Sequence, residues 1–205
     1  MSDQVELTNP IDHSVGGING HLFRRGFHLS MTIIPWVYFE YAEKISEYVN
    51  LYPSQLVSAL IISLIVVESA RLKFKITIFG QRDYESEQVS ALAWGAFAIA
   101  ITFLLLPNSP DLVYPLIWSL SLGDPFLGEM RRKGFEARTV FYSGSVFISI
   151  IWLCCFFLYS TPLWLIPIFA PLCVAAEWPR LRWIDDNATM LLIPLAGILI
   201  AIPWI

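Results

Sequence analysis

Residues 175–195 read AAEWPRLRWIDDNATMLLIPL, and the fold turns on how this stretch divides. An apolar run ends at Glu177, a short basic and aromatic segment follows, and a second apolar run opens behind Asp185, Asp186 and Asn187. Two apolar runs of about 20 residues joined by a charged loop describe a pair of helices that cross a bilayer, because only helices satisfy their own backbone there. The same alternation continues outward along the chain. Of its 205 residues, 56 % are hydrophobic and 15 % charged, with a mean hydropathy of +0.61; soluble domains carry about 25 % charged residues. The composition excludes an ordinary soluble enzyme and predicts an all-α, polytopic integral membrane protein.

Seven transmembrane helices are expected, over residues 27–43, 53–70, 88–106, 111–128, 139–160, 162–178 and 187–205. Glu40 and Glu43 shorten the first, and prolines at 107, 110 and 162 mark tight breaks. A polar N-terminal arm (1–23) carrying Asp3, Glu6 and Asp12 precedes a single membrane domain (24–205). The arm lacks a basic stretch followed by an apolar one, so no cleavable signal peptide is expected. Cys154, Cys155 and Cys173 sit inside apolar runs without metal-site spacing and read as packing residues.

Charge asymmetry orients the spans. Under this division 12 of the 13 Lys and Arg residues fall on one side, with Lys44 alone on the other. Basic residues flanking spans stay in the cytoplasm, so the N-terminus is predicted inside and the C-terminus outside. His28, Glu68, Asp83, Glu85, Glu87, Asp124, Glu129, Glu136, Glu177, Asp185 and Asp186 fall on or near the same cytoplasmic side. A multi-pass protein with its chemistry on the cytoplasmic face is the expected localisation.

Four constellations carry that chemistry. Glu68 and Arg71 close the second span at a spacing that puts both on one helix face. They read either as a self-satisfied interfacial ion pair or as part of a site, since an acid at that depth is costly without a partner or a task. Asp124 ends the fourth span, ahead of Pro125, Gly128, Glu129 and the basic cluster Arg131, Arg132 and Lys133. Pro125 predicts a helix break there, and the glycines permit close backbone approach. Asp185, Asp186 and Asn187 supply hard-oxygen donors: one caps the last helix, and the rest suit a divalent cation such as Mg²⁺. Arg24, Arg25 and His28 open the first span, and Arg82 lies in the longest cytoplasmic loop.

Acids that hold Mg²⁺ (Asp124, Asp185, Asp186 and Glu177) and cations that hold phosphates (Arg82, Arg131 and Lys133 among them) on one face are what metal-assisted phosphoryl transfer needs. The acceptor would reach the site from the bilayer. No Gly-rich phosphate loop ending in Lys-Ser or Lys-Thr is present, and no nucleic-acid partner is expected.

The order R-R-x-x-H at Arg24, E-x-x-R at Glu68, a loop glutamate at Glu85, G-D at Gly123, and E-x(7)-D-D-N from Glu177 resembles the CTP-dependent polyprenol kinase superfamily, which includes dolichol and phytol kinases and the fungal-type diacylglycerol kinase. The resemblance spans about residues 24–195. It implies that Asp124, Asp185, Asp186 and Asn187 contribute to the metal and nucleotide site and that Glu68, Arg71, Arg24, Arg25 and His28 belong to the same pocket; our own choice of base for the lipid hydroxyl is Asp185 or Asp186, which geometry has to decide. The expected activity is transfer of the γ-phosphate of CTP to an isoprenoid alcohol such as dolichol, phytol or geranylgeraniol. Departures exist: Leu127 stands where the family has a small residue, Arg131 replaces a glycine, and the segment from Arg138 and Thr139 lacks the family's glutamate. A cytidylyltransferase that makes a CDP-lipid, and a transporter or structural protein with buried acid pairs, are the competing expectations.

Overall fold

The computed structural model describes residues 14–179, 181 and 183–204. The arm acids Asp3, Glu6 and Asp12 lie outside the described residues, as do Arg180 and Arg182 from the topology count. Among the described residues the protein is all-α, and its extended pairing is limited to an isolated antiparallel bridge between Ser14 and Arg82. The helices are α1 (Gly17–Ser30), α2 (Ile34–Tyr48), α3 (Pro53–Lys73), α4 (Ala91–Leu105), α5 (Pro110–Arg132), α6 (Ala137–Tyr159), α7 (Ile166–Ala176) and α8 (Asp186–Ala201).

Three helical stretches, Pro53–Lys73, Ala137–Tyr159 and Asp186–Trp204, are long and apolar enough to cross a membrane. Ala91–Leu105 and Leu163–Ala176 are apolar but shorter. α5 forms the centre. It packs against α1, α2, α6 and α8, and its Val113, Leu116, Ile117 and Leu120 are fully buried. α3 touches chiefly α4 and turns Leu60, Ile62, Val66 and Val67 outward.

The first expected span differs from what forms. Helix starts at Gly17, inside the stretch read as arm, and a 3-10 turn at Met31–Ile33 separates α1 from α2. Pro35 has no N–H to give the Met31 carbonyl, which tightens that turn. α1 is amphipathic: Ile18, Leu22, Phe23 and Phe27 face outward while Gly20 and His28 are buried. Its glycines and polar residues weaken the apolar run by which a span is recognised.

Proline behaves differently at three places in the sequence. The turn between α4 and α5 and the left-handed Ser160 after α6 form where the prolines predict breaks. Pro125, expected to end a helix, sits inside α5, which runs on to Arg132. A proline removes one i to i−4 bond, and a helix enclosed by others survives that loss. Pro115 shows the compensation directly: the Asp111 carbonyl it leaves without a partner accepts a hydrogen bond from Thr161 Oγ1 at 2.6 Å.

Two glycines let the central helices close up. A Cβ on Gly123 would lie 2.8 Å from Met190 Cε of α8, and one on Gly144 would lie 2.4 Å from Leu127 Cδ2 of α5. Without side chains there, α8 and α6 draw against α5, and this brings one end of α5 close to the end of α7 and the start of α8.

Candidate metal and phosphate site

The ends of α3, α4, α5, α7 and α8 meet at one end of the bundle. Asp124 of α5, Glu177 at the end of α7 and Asp186 in the first turn of α8 each bring a carboxylate oxygen within 4.8 Å of the other two. Oxygens on opposite sides of an octahedral Mg²⁺ stand about 4.2 Å apart, so small side-chain rotations would close this triad on one ion. Glu177 gives the best reason to expect a cation: its side chain is fully buried, Oε1 accepts from Arg131, and Oε2 has no hydrogen-bond partner. A bare carboxylate oxygen is costly to bury.

The residues around the triad hold it in place. His28 of α1 brings Nδ1 to 3.4 Å from Asp124 Oδ2, without hydrogen-bond geometry. Asp185 caps α8 by accepting the Asn187 N–H at 3.1 Å, which is the capping role the sequence assigns to one of the two aspartates. Burial, then the charge of Asp186, pushes the Asp185 carboxyl well above the usual range. Buried Asn187 donates from Nδ2 to the Ala91 carbonyl at 3.3 Å, which ties α8 to the start of α4, and its Oδ1 has no partner.

Cations rim the acids. Arg24, Arg82 and Arg131 all act on Asp186 through their charge. Arg24 pairs with Glu85 at 2.7 Å, and Arg82 donates to the Tyr84 hydroxyl at 2.5 Å. Arg25 is set slightly apart, pairing with Glu129 at 2.8 Å and donating to His21 at 2.9 Å. The hydrogen bond from Arg132 to Glu129, with Arg25 beside it, holds that carboxyl down to about 2. Lys133 is exposed beyond the end of α5 and is not brought into the cluster.

Glu68 and Arg71 stand apart from the triad in a saturated network. All five guanidinium N–H groups of Arg71 are used: two on the Glu68 carboxylate, and one each on the carbonyls of Ile76, Glu85 and Gln88. Glu68 also accepts the Ser90 N–H at 2.6 Å. The pair therefore shapes the loop between α3 and α4, and that loop in turn presents Arg82 and Glu85.

Glu85 was absent from the residues assigned to the site by sequence. It is 2 % exposed, pairs with Arg24 through Oε1, and leaves Oε2 unpartnered. The only sequence signal for it is its position as a loop glutamate in the motif order. The strap over this loop, with Val15 N–H on the Gln81 carbonyl at 2.8 Å and Gly80 N–H on the Val15 carbonyl at 3.0 Å, had no sequence signal.

No family model matches the chain, and no curated protein or solved structure matches it either.

Proposed function

We propose that this chain is an integral-membrane lipid-alcohol kinase that transfers the γ-phosphoryl group of CTP to an isoprenoid alcohol with the help of Mg²⁺. The observation that carries this reading is the convergence of Asp124, Glu177 and Asp186 beneath Arg24, Arg82 and Arg131, with a fully buried carboxylate oxygen left unpartnered. The motif order that resembles the CTP-dependent polyprenol kinases points the same way.

Asp124, Glu177 and Asp186 would hold Mg²⁺, which neutralises charge on the phosphates of the donor. Arg24, Arg82 and Arg131 bind and orient those phosphates, as guanidinium groups do well. Asp185 lies outside the triad beside Asp186, and in this proposal its carboxylate takes the proton of the attacking hydroxyl. The alcohol oxygen bonds to the γ-phosphorus, the bond to the β-phosphate oxygen breaks, and the products are a lipid monophosphate and CDP. His28 packs beside Asp124, while Glu68 and Arg71 act as positioning residues through the loop.

All seven spans, with the N-terminus cytoplasmic and the C-terminus outside, belong to this proposal. α4 is about 22 Å long at 1.5 Å per residue, and packing against α3 and α8 lets it contribute at membrane depth without spanning lipid alone.

The test is purified protein in detergent with Mg²⁺, CTP or ATP labelled in the γ-phosphate, and a panel of polyprenols, phytol, geranylgeraniol and diacylglycerol. Label in a lipid monophosphate, lost with Asp186→Asn, supports the kinase. With a lipid monophosphate added, a CDP-lipid detected by mass, the γ-label leaving as pyrophosphate, would assign the chain to cytidylyl transfer instead. No labelled lipid from folded protein with either nucleotide overturns the reading.

A further inference from the structure

The acid triad already has a cation of its own. Arg131 donates from Nη2 to Glu177 Oε1, and its side chain is 42 % exposed whereas that of Glu177 is fully buried. The other arginines at this end of the bundle are engaged elsewhere: Arg24 with Glu85, Arg25 and Arg132 with Glu129, Arg71 with Glu68, and Arg82 with the Tyr84 hydroxyl. Among the described arginines, Arg131 alone forms an ion pair with a member of the triad.

A guanidinium beside three carboxylates offsets part of their mutual repulsion. By the same physics it opposes a divalent cation entering that space. Arg131 projects from the last turn of α5 at the rim, where rotation about its side chain can carry the guanidinium outward. Phosphate oxygens offer it a bidentate partner, and Glu177 would then be free for a hard cation.

We propose that Arg131 is a tethered counter-cation that competes with the divalent ion for the acid triad and is drawn off it by an incoming polyphosphate. Cation and nucleotide therefore bind together, and each strengthens the other by the same factor. The inference rests on the phosphoryl-transfer reading of the site.

The test measures Mn²⁺ binding to the full-length protein in detergent by electron paramagnetic resonance, with and without the β,γ-methylene analogue of CTP. Wild-type protein binds Mn²⁺ weakly alone and about tenfold more tightly with the analogue. Arg131→Gln binds Mn²⁺ alone about tenfold more tightly than wild type, as expected from removing one nearby positive charge, and the analogue tightens it by a smaller factor than in wild type. Arg131→Lys keeps the charge and stays near wild-type affinity; Arg132→Gln, which alters a pair outside the triad, also matches wild type.

If Arg131→Gln binds Mn²⁺ no more tightly than wild type, or if Arg131→Lys behaves like Arg131→Gln, the inference is overturned while the metal site stands. If neither wild type nor any variant binds Mn²⁺, with or without the analogue, both the inference and the metal-dependent reading fall.

Discussion

At the scale of single residues, neighbours decide what each acid can do. Glu68 and Glu177 both end apolar runs and look alike in sequence, yet Glu68 is enclosed by Arg71 and the Ser90 N–H while Glu177 keeps one oxygen bare. The two should respond differently to the loss of charge. Glu177→Gln preserves shape, so we expect folded protein with Mg²⁺ affinity reduced by at least about tenfold, measured as the Mg²⁺ dependence of turnover. Asp186→Asn should lower kcat by about 10²- to 10³-fold at saturating Mg²⁺ with little change in thermal unfolding, because its charge is needed mainly where phosphoryl charge develops. Glu129 is partly exposed and ionised well below neutral pH, so Glu129→Gln should shift the thermal midpoint by no more than a surface ion pair does.

At the scale of elements, the loop between α3 and α4 depends on one arginine. Arg71→Ala removes five donors and leaves the carboxylate of Glu68 and three carbonyls short of partners, a loss of about 3 to 5 kcal/mol for a buried pair. Limited proteolysis should then cut within residues 76–90 faster than in wild type, and activity should fall together with stability. Unchanged cleavage would show that other contacts hold the loop. Gly123→Val tests the closeness of α5 and α8, since its new atoms meet Met190 and Ile148. Overpacking of this kind costs about 1 to 3 kcal/mol and moves Asp124 away from Asp186, so Mg²⁺ dependence should weaken along with the thermal midpoint.

At the scale of the whole molecule, the proposed topology makes a sharp demand on accessibility. In sealed vesicles, single cysteines introduced at Lys75 and Lys133 should react with an impermeant thiol reagent only from the cytoplasmic side, and one at Tyr48 only from the other side. Reaction of all three from one side would remove a span from the count. The native thiols do not obscure the result, since Cys155 and Cys173 are buried and only Cys154 needs replacement by Ser.

Apolar run length, a property of the linear chain, determined the helical class and the places where most helices turn. The resulting helices match the expected ranges closely from α3 to α8. The cap at Asp185 and the pairing of Glu68 with Arg71 were legible for the same reason, because each depends on residues within three positions of one another. What depends on distant contacts was decided only by the tertiary structure. Pro125 stays helical because neighbouring helices enclose α5, and α1 forms from a stretch whose apolar residues cover only one side. Asp124, Glu177 and Asp186 converge because Gly123 and Gly144 let three helices approach, and Arg131 falls to Glu177 across 46 residues of chain. Sequence supplies the charges and the helices that carry them; packing between helices sets the few ångströms that bring them together.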